Sequence, residues 1–130
     1  MHLKKSFLLP VVSLFALALW GCASAPATRA TIAPGASLEM KASNFRFDPN
    51  TIAVQGTGTV TLVITNTSGA GHNITVNDPK GKVIDTVEIP PNATISTSVT
   101  FPAPGDYPFS CNHPFHASFG MTGHFIVSGG

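Results

Sequence analysis

From residue 38 to residue 127 the chain is a succession of short runs rich in β-branched and aromatic residues, each closed by Gly, Pro, Asn or Asp. The runs cover 38–47, 51–54, 59–67, 72–77, 82–88, 94–101, 106–110 and 122–127. The breaks include Asp48-Pro49-Asn50, Gly56-Thr57-Gly58, Asp78-Pro79-Lys80-Gly81 and Pro90-Pro91-Asn92. Such runs read as strands, because β-branched side chains suit a pleated surface, while Gly, Asn and Pro supply the backbone angles of tight turns. Helical periodicity has almost no support. About eight short strands at this spacing predict an all-β fold, a sandwich or a barrel. Val60, Leu62 and Ile64 alternate with Thr61, Val63 and Thr65, so one face of that strand is expected to bury aliphatic groups at about 25 cal/mol per Å² of apolar surface. A chain of this length supports one core, with a cofactor adding stability rather than creating the fold.

One loop between two of these runs carries unusual chemistry. In YPFSCNHPFHASFGMTGHFIV, Tyr107 to Val127, a cysteine (Cys111) is followed five positions on by His116 and five further by Met121. Taken singly, each has an ordinary structural reading: Cys111 as a small buried hydrophobe, Met121 as core filler. Together a thiolate, an imidazole and a thioether form a soft donor set that suits copper, and a His2Cys set with a long axial Met is the pattern of a blue-copper site. The second histidine must come from elsewhere, and His72 in GAGHNITV, just after a strand-like run, is the best placed. The expected metal ligands are therefore His72, Cys111, His116 and Met121, around one copper ion.

These motifs resemble the cupredoxins, small single-copper proteins of the azurin, plastocyanin and pseudoazurin type. The resemblance spans roughly residues 38–128 and rests on NFRFDPNTIAV, on Gly71-His72-Asn73 and on the Cys-x4-His-x4-Met loop with Pro114 inside it. It implies a Greek-key two-sheet β-sandwich with the metal near one end, and ligation through the δ nitrogens of His72 and His116. It also implies that the backbone N–H groups of Asn73 and His113 point at the Cys111 sulfur, and that the Asn73 side chain ties the two ligand loops together. Gly71 would place its carbonyl as a weak fifth contact. The edge of His116 would emerge through an apolar docking patch formed by Pro114, Phe115 and Phe119, with buried core as the alternative reading of the two phenylalanines.

His113 departs from the resemblance, since an apolar or aromatic residue is usual there. It reads as a histidine beside the site that tunes it or lies on the electron path, with direct ligation as the alternative. A resemblance to nitrosocyanin is weaker, because its histidine arrangement is not reproduced. His124 reads as exposed and not a ligand.

The beginning of the chain has a basic region at Lys4 and Lys5, an apolar run from Phe7 to Leu19, and then Leu19-Trp20-Gly21-Cys22. That order reads as a secretion signal, and the tetrad resembles a bacterial lipobox. Residues 1–21 are expected to be removed and Cys22 lipidated, with cleavage after Ala23 or Ala25, giving a soluble periplasmic protein, as the alternative. Residues 22–36, small and Pro-bearing, read as the lipidated N-terminus and a flexible tether, and 37–130 as the cupredoxin domain. Two cysteines in an exported chain ordinarily suggest a disulfide, but Cys22 and Cys111 have separate expected roles. Of seven Lys and Arg, Lys4 and Lys5 leave with the signal, so five basic groups face six acidic ones. A near-neutral domain has no basic stripe for nucleic acid.

Two function classes remain from the sequence. One is a membrane-anchored carrier shuttling single electrons between redox proteins such as cytochromes or terminal reductases and oxidases, on the periplasmic side and as a monomer. The other is a copper delivery or buffering module without redox turnover, which would more often use Met and His without cysteine. An enzyme is not expected, since multicopper chemistry needs further copper sites with their own histidines.

Overall fold

The computed structural model describes residues 26–130. Ten strands follow in order: β1 (Arg29–Ile32), β2 (Ser37–Ser43), β3 (Arg46–Asp48), β4 (Thr51–Val54), β5 (Gly58–Asn66), β6 (His72–Asn77), β7 (Val83–Ile89), β8 (Thr94–Phe101), β9 (Gly105–Ser110) and β10 (Thr122–Val127). They build a six-stranded sheet, β1-β4-β10-β9-β6-β7, and a four-stranded sheet, β3-β2-β5-β8. The protein is thus the all-β, two-sheet sandwich that the run pattern predicts. No helix occurs among the described residues.

Two differences raise the strand number. Residues 38–47, read as one run, are two strands, because the backbone reverses at Phe45 (φ +58°) and β3 folds back antiparallel on β2. The second difference corrects the tether: Arg29–Ile32 lies inside the segment 22–36 read as the lipidated N-terminus and a flexible tether, yet forms β1, which runs parallel to β4 with Arg29 opposite Thr51 and Ile32 opposite Val54. Backbone pairing drives this, and Ile32 is the only residue of the strand that is buried. The signal, the lipobox and Cys22 lie outside the described residues.

The core fills the space between the sheets. Val60, Leu62 and Ile64 of β5 are buried as their alternation predicts, in one cluster with Phe109 of β9 and Phe125 and Val127 of β10. Phe47, Phe109, Phe125, Phe101 and Tyr107 stack in an unbroken aromatic series, with ring centroids 4.8 to 5.3 Å apart. Such edge-on and tilted pairs add to what burial alone supplies. The end of β5, the start of β6, the end of β9 and the start of β10 meet at one end of the sandwich, where Ser110 pairs with both Thr122 and Thr75. The donor-bearing loops leave from that end.

Candidate metal centre

His72 opens β6 and Cys111 directly follows β9, so two strands of one sheet carry these donors from rigid backbone. His116 comes from the loop that closes onto Met121, just before β10. That loop is folded on itself: the His116 N–H donates to the His113 carbonyl, and the Met121 N–H to the His116 carbonyl. The Cys111 N–H donates to the Met121 carbonyl at 3.0 Å. Phe115 (φ +67°) and Gly120 (φ +102°) take the left-handed angles that such tight turns need.

The side chains of His72, Cys111 and His116 converge, with one ligand atom from each lying within 4.8 Å of the others. The Nδ1 atoms of the two histidines are 3.1 Å apart, and Cys111 Sγ is 3.3 Å from His116 Nδ1. His72 and Cys111 are buried, at 1% and 0% exposure, and His116 is half-buried. Met121 is fully buried, and its backbone bonds to both Cys111 and His116. Burial, together with the nearby rings of His116 and His113, holds the His72 imidazole below its ordinary pKa. It is neutral at pH 7 and presents a lone pair. Two imidazoles and a free thiol, with the thioether of buried Met121, whose backbone is bonded to Cys111 and His116, are a soft set that fits copper.

The tautomer of His72 follows from its surroundings. Its Nε2 is 2.8 Å from the Ser68 hydroxyl. Asn66 Oδ1 accepts from the Ser68 N–H at 2.9 Å and lies 2.8 Å from Ser68 Oγ. A backbone N–H only donates, so that Asn66 atom is the oxygen and its NH2 group faces the carbonyls of Ala70, Ile89 and Pro90. Asn66 Oδ1 at 2.8 Å and the Ala70 carbonyl at 3.1 Å carry no proton of their own, so the Ser68 proton is best placed on one of these oxygen contacts, whereas Nε2 of His72 can supply its own. The lone pairs of Ser68 Oγ are left for an Nε2–H of His72, which frees Nδ1 toward Cys111 and His116.

Asn73 performs the tying role implied by the resemblance. Its N–H donates to Cys111 Sγ at 3.4 Å, and its side-chain oxygen accepts from the Asn112 N–H at 2.9 Å. Its NH2 group donates to Asn112 Oδ1 and to Glu88 Oε1. The second expected sulfur donor is absent: among the described residues the His113 N–H makes no bond to Cys111 Sγ, because past Asn112 the chain enters the turn whose His113 carbonyl receives His116. The His113 side chain bonds instead to Glu88, with Nε2 3.1 Å from Oε2. It lies outside the converging set, with its ring 5.6 Å from that of His116. Gly71 sits beside it, and a Cβ there would meet His113 Cε1 at an ordinary 3.7 Å. His124 is on the outer face of β10, 2.8 Å from Asp106.

Pro114, Phe115 and Phe119 are all exposed. Phe45 belongs with them and was missed from the sequence: its ring meets His116 edge-on at 5.3 Å and Phe119 at 4.9 Å. Ser68, Asn66 and Glu88 were also missed. Polar residues in a turn-rich segment such as TNTSGAGH carry no spacing that marks them as partners of a ligand.

Residues 35–128 match the family described as copper binding proteins, plastocyanin/azurin family. No individually curated protein matches the chain in sequence. Among solved structures, the fold is similar to dithionite-reduced auracyanin from Roseiflexus castenholzii (TM-score 0.61, 24% identity, 75% of this chain and 96% of that one). It is also similar to auracyanin A, a "blue" copper protein from Chloroflexus aurantiacus (0.62, 24%, 72% and 100%), and to auracyanin B (0.62, 18%, 73% and 90%). With the family match covering nine of the ten strands and a His2Cys cluster, buried but for the His116 edge, at the end of the sandwich, the chain belongs to the plastocyanin/azurin family of copper-binding proteins, and copper is its cofactor.

Proposed function

We propose that the protein is a blue-copper electron carrier, exchanging single electrons with redox proteins on the periplasmic side of a membrane to which Cys22 anchors it. The observation that carries this reading is the asymmetry of the ligand set: His72, Cys111 and Met121 are buried, whereas His116 is half-buried inside a rim of exposed phenylalanines. Copper held there supplies a one-electron Cu(II)/Cu(I) couple. The chain's own contribution is rigidity. Three of the four donors sit at strand ends or beside them, and the bonds that Asn73 donates to Cys111 and that Ser68 accepts from His72 hold two of the three buried ones, so little rearrangement accompanies a change of charge. A buried thiolate also argues against copper release, for which an open site is better suited. Redox partners meet the His116 edge through the rim of Pro114, Phe115, Phe119 and Phe45.

The test is the visible spectrum of the Cu(II) protein. A copper–thiolate bond gives intense charge-transfer colour that bleaches on reduction, and Cys111→Ser is expected to abolish it. A full visible band in that variant would overturn the reading. For the anchor, mass spectrometry of the mature chain is decisive: a lipid on Cys22 is expected, and an unmodified protein beginning beyond Cys22 would remove the membrane from the proposal.

A further inference from the structure

The register of β1 decides where the N-terminal segment leaves the domain. β4 is paired with both β1 and β10, all parallel, with Thr51 opposite Arg29 on one side and opposite His124 on the other. The chain of β10 begins next to Met121 and runs away from the metal site, so β1 does the same and its start lies at the ligand end. Thr28 is fastened there. Its carbonyl accepts from the Asn50 and Thr51 N–H groups, its N–H donates to Asn50 Oδ1, and its hydroxyl accepts from the Asn50 N–H. Asn50 in turn holds β10 through the His124 N–H at 2.9 Å. The exit point is therefore about two strand spacings, roughly 10 Å, to the side of β10.

Cys22 precedes Thr28 by six positions, a reach of about 20 Å at full extension. A lipid on Cys22 thus draws the ligand end of the sandwich toward the bilayer. The same end carries the exposed phenylalanines: Phe115 at 73%, Phe119 at 66% and Phe45 at 40% exposure. Arg29, at the exit itself, is exposed as well. Aromatic apolar groups settle at the boundary between headgroups and acyl chains, basic groups are drawn to anionic headgroups, and a short tether keeps the local concentration of lipid high.

Resting on the Cys22 anchor proposed above, we infer that the Phe45, Phe115 and Phe119 rim lies on the lipid surface, with the His116 edge facing the membrane. Between encounters the lipid covers the rim. Electrons then pass at the membrane plane, to or from partners whose redox group reaches that plane, and the apolar face of such a partner replaces the lipid on the rim.

The experiment uses the full lipidated mature chain on vesicles of phosphatidylethanolamine and phosphatidylglycerol with brominated acyl chains, which quench tryptophan on contact. Trp20 is the chain's single tryptophan and lies in the signal, so Phe115→Trp and Ala103→Trp each place one reporter, at the ligand end and at an exposed site on the opposite end. Several-fold stronger quenching at position 115 than at 103 is expected, and the position-115 reporter in an unlipidated chain that begins at Ala23, and so lacks Trp20, should lose most of it. Equal quenching, stronger quenching at 103, or none at either position overturns the inferred orientation if mass spectrometry shows the lipid on Cys22. An unlipidated mature protein that stays in solution overturns the anchor, and this inference with it.

Discussion

The Ser68 hydroxyl stands 2.8 Å from Nε2 of His72, inside a pocket where Ser68 itself is buried. Because Asn66 and the Ala70 carbonyl absorb the serine's own proton, the hydroxyl accepts from the imidazole and leaves Nδ1 to face the other donors.

Ser68→Ala should therefore weaken metal binding without touching a ligand. Loss of an outer partner of a ligating histidine typically lowers affinity about 10- to 100-fold, and a buried N–H without an acceptor costs about 1–3 kcal/mol. Competition against a copper chelator reads the affinity, and Ser68→Thr, which keeps the hydroxyl, should restore it. Equal loss in both variants would mean that packing rather than the hydrogen bond matters.

Asn73→Ala should separate stability from colour. The backbone N–H that reaches Cys111 Sγ survives, but the Asn112 N–H and Glu88 lose their partner. A cost of about 1–3 kcal/mol is expected, or about 4–8 °C of melting temperature per kcal/mol in a domain of this size. The visible band should persist. Asn73→Asp should not rescue at neutral pH, because it replaces an NH2 donor with a charge facing Glu88 Oε1 and Asn112 Oδ1. A stable Asp variant would contradict this arrangement.

What the sequence made legible follows from spacing. The Cys-x4-His-x4-Met loop and the strand-end His72 form a pattern in which each residue type restricts the others, and the structure brings His72, Cys111 and His116 together. β1 was illegible because an edge strand joined through backbone bonds needs only one buried side chain, and ATRATIAP shows no alternation long enough to notice. Phe45 was read within a strand because Asn44 is a lone turn-forming residue inside an otherwise strand-like run and the positive φ falls on Phe45, where a non-glycine residue at φ +58° is uncommon. The missing sulfur bond from His113 has a similar origin, since the path of the chain after Asn112 depends on turns at Phe115 and Gly120 rather than on the residue at 113.

Acid should loosen the Asn73 and His113 side of the site. The Glu88 carboxyl is held below its ordinary value of 4.5 first by the hydrogen bond from Asn73, partly opposed by desolvation, and further by the hydrogen bond and charge of His113. A carboxyl depressed by folding contributes stability that is fully present above its unfolded value and is lost as pH falls through the folded one. Denaturant midpoints of the metal-free protein should therefore drop below about pH 4.5 by more in the native chain than in Glu88→Gln. The difference should stay under about 1 kcal/mol, because the carboxylate is largely solvated. A Gln variant with the same acid profile would show that Glu88 is not the group responsible.

The closest approach of backbone to core near the site is at Gly123, the second residue of β10, and it sets the sharpest stability prediction. A Cβ there would lie 2.3 Å from Phe109 Cζ and 2.4 Å from the Asn50 carbonyl oxygen. The ring has room to turn only by displacing Phe47 and Phe125, which it contacts, and the carbonyl is fixed by the His124 N–H. Gly123→Ala should thus cost about 1–3 kcal/mol by overpacking, even though the residue's backbone angles need no glycine. Adding Phe109→Leu, which removes the ring but not the carbonyl contact, should recover only part of the loss in a double-mutant cycle. Full recovery would place the whole clash on the ring and leave the Asn50 to His124 link free to move.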